Sequence, residues 1–410
     1  MPSPNRFERM LHPDEAREIV LAHARPLEPE TIPLAEAFGR VLAVDLTAAE
    51  NHPPFDAATM DGYAVLADDV SPWREIIGVQ TAGAPIDAEV SEGYTVRITT
   101  GAPMPRGADA VVQVENIEIS EDHVVITQDV VKRGDNIRPI GFDAAIGARV
   151  LTMGTTIGAP EVGLIAGFGL APVPVFRRPR VSVLSTGDEL VEPGQPLKSG
   201  QIRDSNRFSM IAAVLETGAE VVWAGTAPDD RAELERVIKE RIAVSDVVIT
   251  SGGVSMGELD LVKAILLDIA DVKFQRVFMK PGKPLNFAVS GATLIFGLPG
   301  NPVSTLATFE VFIRPALLTM AGRTNIDRPL VPVRLAAATK PADRIEFQRA
   351  VVRVTDQGEL VGGPTGSQAS SRLVSFIGAN ALLKIEPRDA PYEVGELVPA
   401  MLLGAPLGGG

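Results

Sequence analysis

The chain has no cysteine, only four histidines (His12, His23, His52 and His123), and aromatic residues at just 5% of its 410 positions. Without thiols there is no disulfide framework, cysteine nucleophile, iron–sulfur cluster or zinc–thiolate site. Four scattered histidines argue against a His-rich transition-metal centre. Long apolar runs are missing too: Gly, Pro or charge interrupts each one short of the ~20 residues that a membrane-spanning helix needs. The opening MPSPNRFERM has no apolar core of signal-peptide length. The expectation is a cytoplasmic chain with no membrane partner.

Positive charge is also in short supply. There are 38 Lys+Arg against 52 Asp+Glu, a formal charge of −14. Residues 1–176 hold 12 basic and 26 acidic side chains, residues 177–327 hold 17 and 18, and residues 328–410 hold 9 and 8. The whole excess therefore lies in the first 176 residues. An acidic surface repels nucleic acid and anionic membrane, and it favours solubility. The apolar share of 45% is ample for cores, and the length allows roughly two to four domains.

What is present is organised in stretches of different texture. Residues 13–24 read as a helix with acids in its first turn and Ile19, Val20 and Ala24 on one face. From 46 to 146, short runs such as YAVLA, YTVRITT, AVVQV and HVVIT alternate with Gly, Pro and Asp clusters, which predicts a small, mostly β domain. Residues 147–176 contain GAPEVGLIAGFG, a helix that can return to pack on the N-terminal helices, so that domain can be discontinuous. After the proline-rich APVPVFRRPR a regular alternation starts. Strands are expected at 181–185, in EVVWAG, at 246–250 and at 293–297. Helices are expected at 205–217 (Phe208, Ile211, Ala212 and Leu215 on one face), at 230–243, at 258–269 and from Pro302. Strand–helix alternation predicts a parallel sheet covered on both faces. Residues 330–403 read as a small β domain.

In open α/β sheets, ligands bind beyond the carboxyl ends of the strands, so the loops there are the candidates. Ser185–Glu189 sets the adjacent carboxylates Asp188 and Glu189 in a small turn, which suits either a hydrated cation or an ordinary polar turn. Asp204-Ser205-Asn206 precedes a helix, where any of the three suits an N-cap. Asp229 and Asp230 follow the next strand. Asp230 with Glu233 fits a cap-plus-acid helix start, leaving Asp229 freer. Ser251-Gly252-Gly253-Val254-Ser255-Met256-Gly257-Glu258-Leu259-Asp260 joins a buried strand to a helix. Its glycines let backbone N–H groups approach an anion, although Ser255 and Glu258 also have capping-box spacing. Asp260 is placed either to complement the helix dipole or to hold a divalent metal beside a phosphate. Lys280-Pro281-Gly282-Lys283 presents two ammonium groups on a stiff loop, suited to an oxyanion such as phosphate or molybdate. Pro299 and Pro302 stiffen GLPGNPVS. With no Cys or His in this stretch, all-oxygen ligation favours Mg²⁺.

The ordered motifs PPFDAATMDGYAV, TTGAPMP with GADAVV, STGDEL, DSN, TSGGVSMGELD, KPGKP and GLPGNPVS closely resemble the MoeA family, the molybdopterin molybdenumtransferases, to which the gephyrin E-domain also belongs. The resemblance spans nearly the whole chain. It implies a multidomain α/β plus β protein. A discontinuous N-terminal helical and linker domain at 1–45 and 147–176 would serve dimerisation. A mostly β lid domain would occupy 46–146, and a doubly wound α/β domain, shared with the molybdopterin adenylyltransferases, 177–327. A C-terminal β domain would occupy 328–410.

The implied reaction is insertion of molybdate into adenylylated molybdopterin, with Mg²⁺, releasing AMP and forming molybdenum cofactor. The implied assembly is a homodimer with shared active sites, in transient contact with the adenylyltransferase. Carried onto this chain, the family's catalytic groups fall on Asp61, Thr100, Glu189, Asp229 or Asp230, and Asp260. Asp229, Asp230 and Asp260 are the metal candidates. Substrate and oxyanion contacts fall on Asp188, Ser251, Gly252, Gly253, Ser255, Lys280, Lys283, Pro299 and Pro302, with a weaker claim for Ser370, Ser371 and Arg372. The family often has Asn-Ser where this chain has Ala57-Ala58. An adenylyltransferase would resemble residues 177–327 alone. A scaffold of the gephyrin kind would carry a fused adenylyltransferase domain and long linker, which this chain lacks.

Overall fold

The computed structural model describes residues 9–128, 130–252 and 261–408. Those within 31–38 and 44–173 form one compact unit, and those within 9–30, 39–43 and 174–408 the other. The helix read at 13–24 is α1 (Pro13–His23), with Ala16 and Val20 buried. It belongs to the core of the larger unit.

The smaller unit is built on a six-stranded sheet. Its strands are β1 (Gly62–Val65), β2 (Arg74–Gln80), β3 (Tyr94–Ile98), β4 (Ala110–Gln113), β5 (Ile117–Ser120) and β6 (His123–Ile126). They lie in the order β4-β1-β3-β2-β6-β5. Side chains alternate across a strand, so Tyr63 and Val65 enter one core while Ala64 enters the other. The glycine of MDGY is dictated by sheet packing: a Cβ on Gly62 would lie 2.0 Å from the carbonyl oxygen of Val112. Helix α2 (Ala159–Gly167) starts with Glu161 accepting a 2.8 Å bond from the Gly158 amide.

The larger unit contains the alternation expected from 177 to 327. It comprises β7 (Arg180–Thr186), α3 (Asn206–Glu216), β8 (Glu220–Ala227), α4 (Arg231–Ile242), β9 (Val247–Ser251), α5 (Leu261–Ile269), β10 (Asp271–Arg276), β11 (Pro284–Ser290), β12 (Thr293–Leu298) and α6 (Pro302–Thr308). A short π-helical stretch leads from α6 into α7 (Arg314–Met320). The sheet order is β8-β7-β9-β12-β11-β10. The first four strands are parallel, and β11 and β10 are antiparallel additions at one edge. The expectation of a parallel sheet is thus corrected to a mixed one. The edge hairpin was missed because its residues flank the Pro/Gly-rich KPGKP run, which masks strand pattern. Helices α4 and α5 cover one face with Leu234, Val237, Ile238, Val262, Ile265 and Leu266. The other face packs on α3, α7 and α1. Pro302–Met320 is long and apolar enough to span a membrane, yet most of it is buried inside the fold.

Helix α3 is turned from its expected orientation. Phe208 and Leu215 are 46% and 55% exposed, while Arg207, Met210, Ala213 and Val214 are buried. Two apolar stripes one residue apart compete on this helix. Burial of Arg207 beside Asp204 (3.1 Å) and Glu192 (2.5 Å) decides between them. A periodicity argument weighs only apolar residues and counts Arg207 as a surface group.

The C-terminal strands are β13 (Leu330–Leu335), β14 (Ile345–Val354), β15 (Leu360–Pro364), β16 (Ala381–Ile385) and β17 (Leu397–Leu402). They close into a barrel, since β14 pairs with both β15 and β16. Val333, Val352, Leu383 and Val398 fill it. The short strand Met279–Lys280 pairs parallel with Ile345–Glu346 at the start of β14. That pairing fixes the KPGKP loop against the barrel.

Candidate functional site

The carboxyl ends of the parallel strands β7, β9 and β12 bring Ser185, Ser251 and Leu298 side by side. The Ser251 hydroxyl lies 3.2 Å from that of Ser185, which donates to Asp204 at 3.1 Å. Asp204 also accepts the Arg207 amide, so it caps the turn into α3, while Ser205 makes no side-chain cap bond. Asn206 donates to the Gly300 carbonyl at 2.8 Å. Close approach of the β7 and β9 ends requires the glycine at 252: its φ is +94°, and a Cβ there would lie 2.4 Å from the Thr186 carbonyl oxygen. These groups line a pocket of about 340 Å³ together with Glu189, Asn301, Pro302 and Ser371. Asn301, which fits an N-cap by pattern, makes no such side-chain bond.

A second pocket of about 670 Å³ shares Asn301 and Ser371 with the first. Lys280, Lys283, Pro299, Ser304, Arg344 and Ser370 also line it. Lys280 is held by Glu346 at 2.9 Å, and its side chain remains 44% exposed. Glu346 is itself buried and takes a 2.9 Å bond from Gln348. Lys283 is half-buried, with no ion pair among the described residues. The pocket therefore offers one tethered ammonium, one available ammonium, a guanidinium and serine hydroxyls. That set has the charge and donors that suit an oxyanion.

Carboxylates gather at the β7–β8 edge. The Asp229 amide donates to Asp188 at 3.2 Å. Burial, and then the charges of Asp188 and Glu189, push the Asp229 carboxyl above its ordinary value. Asp230 is differently occupied: it accepts the Glu233 amide at 2.9 Å and caps α4. The pair left open by sequence is thus separated by geometry. Among the described residues no three His, Asp or Glu side chains converge as a ready-made metal cage. A crowded carboxylate whose neighbours repel its charge fits a divalent cation that completes its shell with substrate oxygens and water.

In the smaller unit, Asp61 precedes β1 and Thr100 follows β3, which pair with each other. One Asp61 oxygen accepts the Thr100 amide at 2.7 Å and its hydroxyl at 2.8 Å. These bonds, aided by Arg97, hold the carboxyl below its ordinary value despite a small opposing effect of burial. Asp56 accepts the Ile140 amide at 2.6 Å, a loop-bracing bond.

The candidates Gly253, Ser255 and Asp260 lie outside the described residues. Sequence reasoning quoted Ser304 within GLPGNPVS without giving it a role, and missed Arg344. No local pattern marks Arg344, which sits in a polar turn. Only the pairing of Met279–Lys280 with the start of β14 brings it to the lysines.

Comparison with known proteins covers the chain in three consecutive regions. Residues 11–169 match the MoeA N-terminal region (domain I and II). Residues 182–319 match a probable molybdopterin binding domain, and residues 332–403 match the MoeA C-terminal region (domain IV). A molybdopterin molybdenumtransferase of Haemophilus influenzae is 38% identical over 95% of this chain and 98% of its own length. Gephyrin of Dictyostelium discoideum is 36% identical over 95% of this chain, which spans 62% of that longer protein. The crystal structure of a molybdopterin biosynthesis MoeA protein from Pyrococcus horikoshii superposes with a TM-score of 0.84 at 31% identity, over 97% of this chain and all of that one. Three regions matched in order, and a relative and a solved fold each matched nearly end to end, make this chain a member of the MoeA family.

Proposed function

We propose that the carboxyl edge of the α/β sheet is where this chain, a molybdopterin molybdenumtransferase, joins molybdate to adenylylated molybdopterin and releases AMP. The observation that carries the reading is the ~670 Å³ pocket, where Lys280, Lys283, Arg344 and Ser370 converge beside the strand ends. Molybdate is a tetrahedral dianion, and cations fixed before it arrives need no reorganisation to hold it. The adjoining pocket around Ser185, Ser251 and Asn206 receives the rest of the substrate, with Gly252 letting backbone approach closely. Gly253, Ser255 and Asp260 belong to the same family motif as Ser251 and Gly252.

Asp229 and Asp260 would hold Mg²⁺, with Asp188 and Glu189 alongside. When bound, the ion would neutralise charge on the adenylate phosphates. Asp230 supports α4 instead of the metal. Pro299 and Pro302 keep the loop between the two pockets stiff. Among the described residues no lining group is an activated nucleophile, and the reaction is read as running without a covalent enzyme intermediate. Asp61 and Thr100 belong to the acidic unit, and a second subunit of a homodimer supplies them. The apolar outer stripe of α3 is consistent with self-association. The domains of this assembly are residues 1–45 with 147–176, 46–146, 177–327 and 328–410, with α1 of the first packed into the core of the third. The chain acts in the cytoplasm, where the molybdopterin adenylyltransferase hands over its product.

A single-turnover assay tests the function. Adenylylated molybdopterin, molybdate and Mg²⁺ are mixed with the protein, and AMP and active cofactor are followed. Stoichiometric AMP release that needs molybdate and stops on chelation is expected. AMP release without cofactor formation, or none at all, overturns the reading.

A further inference from the structure

Arg349 is the largest fully buried side chain in the described residues, with 0% exposure. A guanidinium is costly to bury, because removing an ion from water forfeits its hydration. Its partners are not acids. Nε donates to the Ser375 hydroxyl at 3.0 Å, and Nη2 donates to the carbonyls of Ser367 and Ala369 at 3.4 and 3.3 Å. Nη1 has no partner. Burial pushes the guanidinium below its ordinary value, and Glu346 opposes that shift.

The two Nη2 bonds act on one loop, and the Nε bond holds the short 3-10 helix Leu373–Phe376 that follows it. Gln368 accepts the Arg349 amide at 2.8 Å and returns a bond to the Arg349 carbonyl at 3.2 Å. Ser370 is pinned from the other side, its carbonyl accepting the Val303 amide of α6 at 3.1 Å. The loop so held carries Gln368, Ala369, Ser370 and Ser371 into the wall of the lysine pocket. Its last residue also lines the smaller pocket.

We infer that Arg349 is a positioning residue for the oxyanion pocket: its buried fork fixes the Ser367–Ser371 loop so that the serines face Lys280 and Lys283. The inference rests on the reading of that pocket as the molybdate site. Arginine suits the task because its planar fork reaches two carbonyls and a hydroxyl at once, whereas the compact ammonium of lysine does not. A loop held only by backbone bonds would fluctuate, and its hydroxyls would reach the anion only in a fraction of molecules. The deficit falls on molybdate affinity and not on the chemical step.

The test is AMP release by the full chain, with molybdate and adenylylated molybdopterin varied separately. Arg349→Lys and Arg349→Gln should raise the KM for molybdate about tenfold. Turnover at saturating molybdate and the KM for adenylylated molybdopterin should stay within about threefold of the parent. Gln368→Leu loosens the same loop without touching the buried charge, and should raise the molybdate KM about threefold. It keeps the test open if the Arg349 variants do not fold. Lys283→Ala separates the two layers of argument. If it leaves the molybdate KM unchanged, the pocket reading fails. If it raises that KM while the Arg349 and Gln368 variants do not, only the positioning role is overturned. A rise in both KM values together, or a fall in turnover at saturating molybdate, also overturns it.

Discussion

In the acidic unit the carboxylate of Asp61 receives two donors from Thr100, whereas at the edge of the α/β sheet Asp229 meets burial and the negative charges of Asp188 and Glu189. Both are aspartates in loops beside a sheet. The first is satisfied by the protein itself and needs nothing further to stay ionised. The second is crowded by like charge, which the cation proposed above would relieve. A carboxylate's charge state thus follows from its neighbours: Asp61 is an anion fixed in place by Thr100, and Asp229 is one whose neighbours oppose its charge.

The largest effect that sharpens this contrast is expected from Asp229→Asn. It removes the group that would bind the ion and should lower turnover by about 100-fold or more, measured as AMP release. The same change relieves crowding, so the variant should melt at or above the parent temperature in the absence of Mg²⁺. Mg²⁺ should raise the melting temperature of the parent and not that of the variant. A parent insensitive to Mg²⁺ would break the comparison. Asp61→Asn comes next. The amide keeps an oxygen that can accept both Thr100 bonds, so the loop should hold and turnover should fall about tenfold. A loss as deep as that of Asp229→Asn would mean that the charge of Asp61 takes part directly.

The neighbouring Asp230→Ala should cost about 1 kcal/mol of stability through the lost cap, with turnover within about threefold of the parent. Denaturant unfolding and AMP release check both halves. The smallest effect is that of Thr100→Val, which removes one of two donors. Asp61 should then titrate closer to its ordinary value in a carboxyl NMR titration.

The two groups also respond to pH with opposite sign. Asp61 is held low, so its stabilising contribution is present above its unfolded value and lost as pH falls through its folded value. Asp229 is held high, so its contribution is present below its unfolded value and lost as pH rises through its folded value. Melting curves across the acid range, with and without Asp229→Asn, should show the variant's advantage appearing as pH rises.

Much of the site was legible in the chain, because chemistry at a strand's end is written in a few consecutive residues. STGDEL, KPGKP and GLPGNPVS each place their groups locally, and the alternation of strands and helices says which edge they share. The cap role of Asp230 was also readable from its spacing to Glu233, and the structure shows that bond. The outward stripe of α3 was not readable, since it depends on the buried Asp204–Arg207 pair. Nor were the edge strands β10 and β11, or the closure of the last strands into a barrel.

The amino-acid sequence by itself determined the family, the order of its regions, the absence of thiol chemistry and the oxygen-rich character of the site. These follow from residue identity and short spacing, which survive any arrangement of the rest. Only the tertiary structure decided that Asp229 and not Asp230 stands among the crowding carboxylates, and that Arg344 joins the lysines. It also decided that Arg349 lies buried behind their loop. Each of these depends on long-range strand pairing and on the cost of burying charge. That cost is set by which distant groups come to surround a side chain.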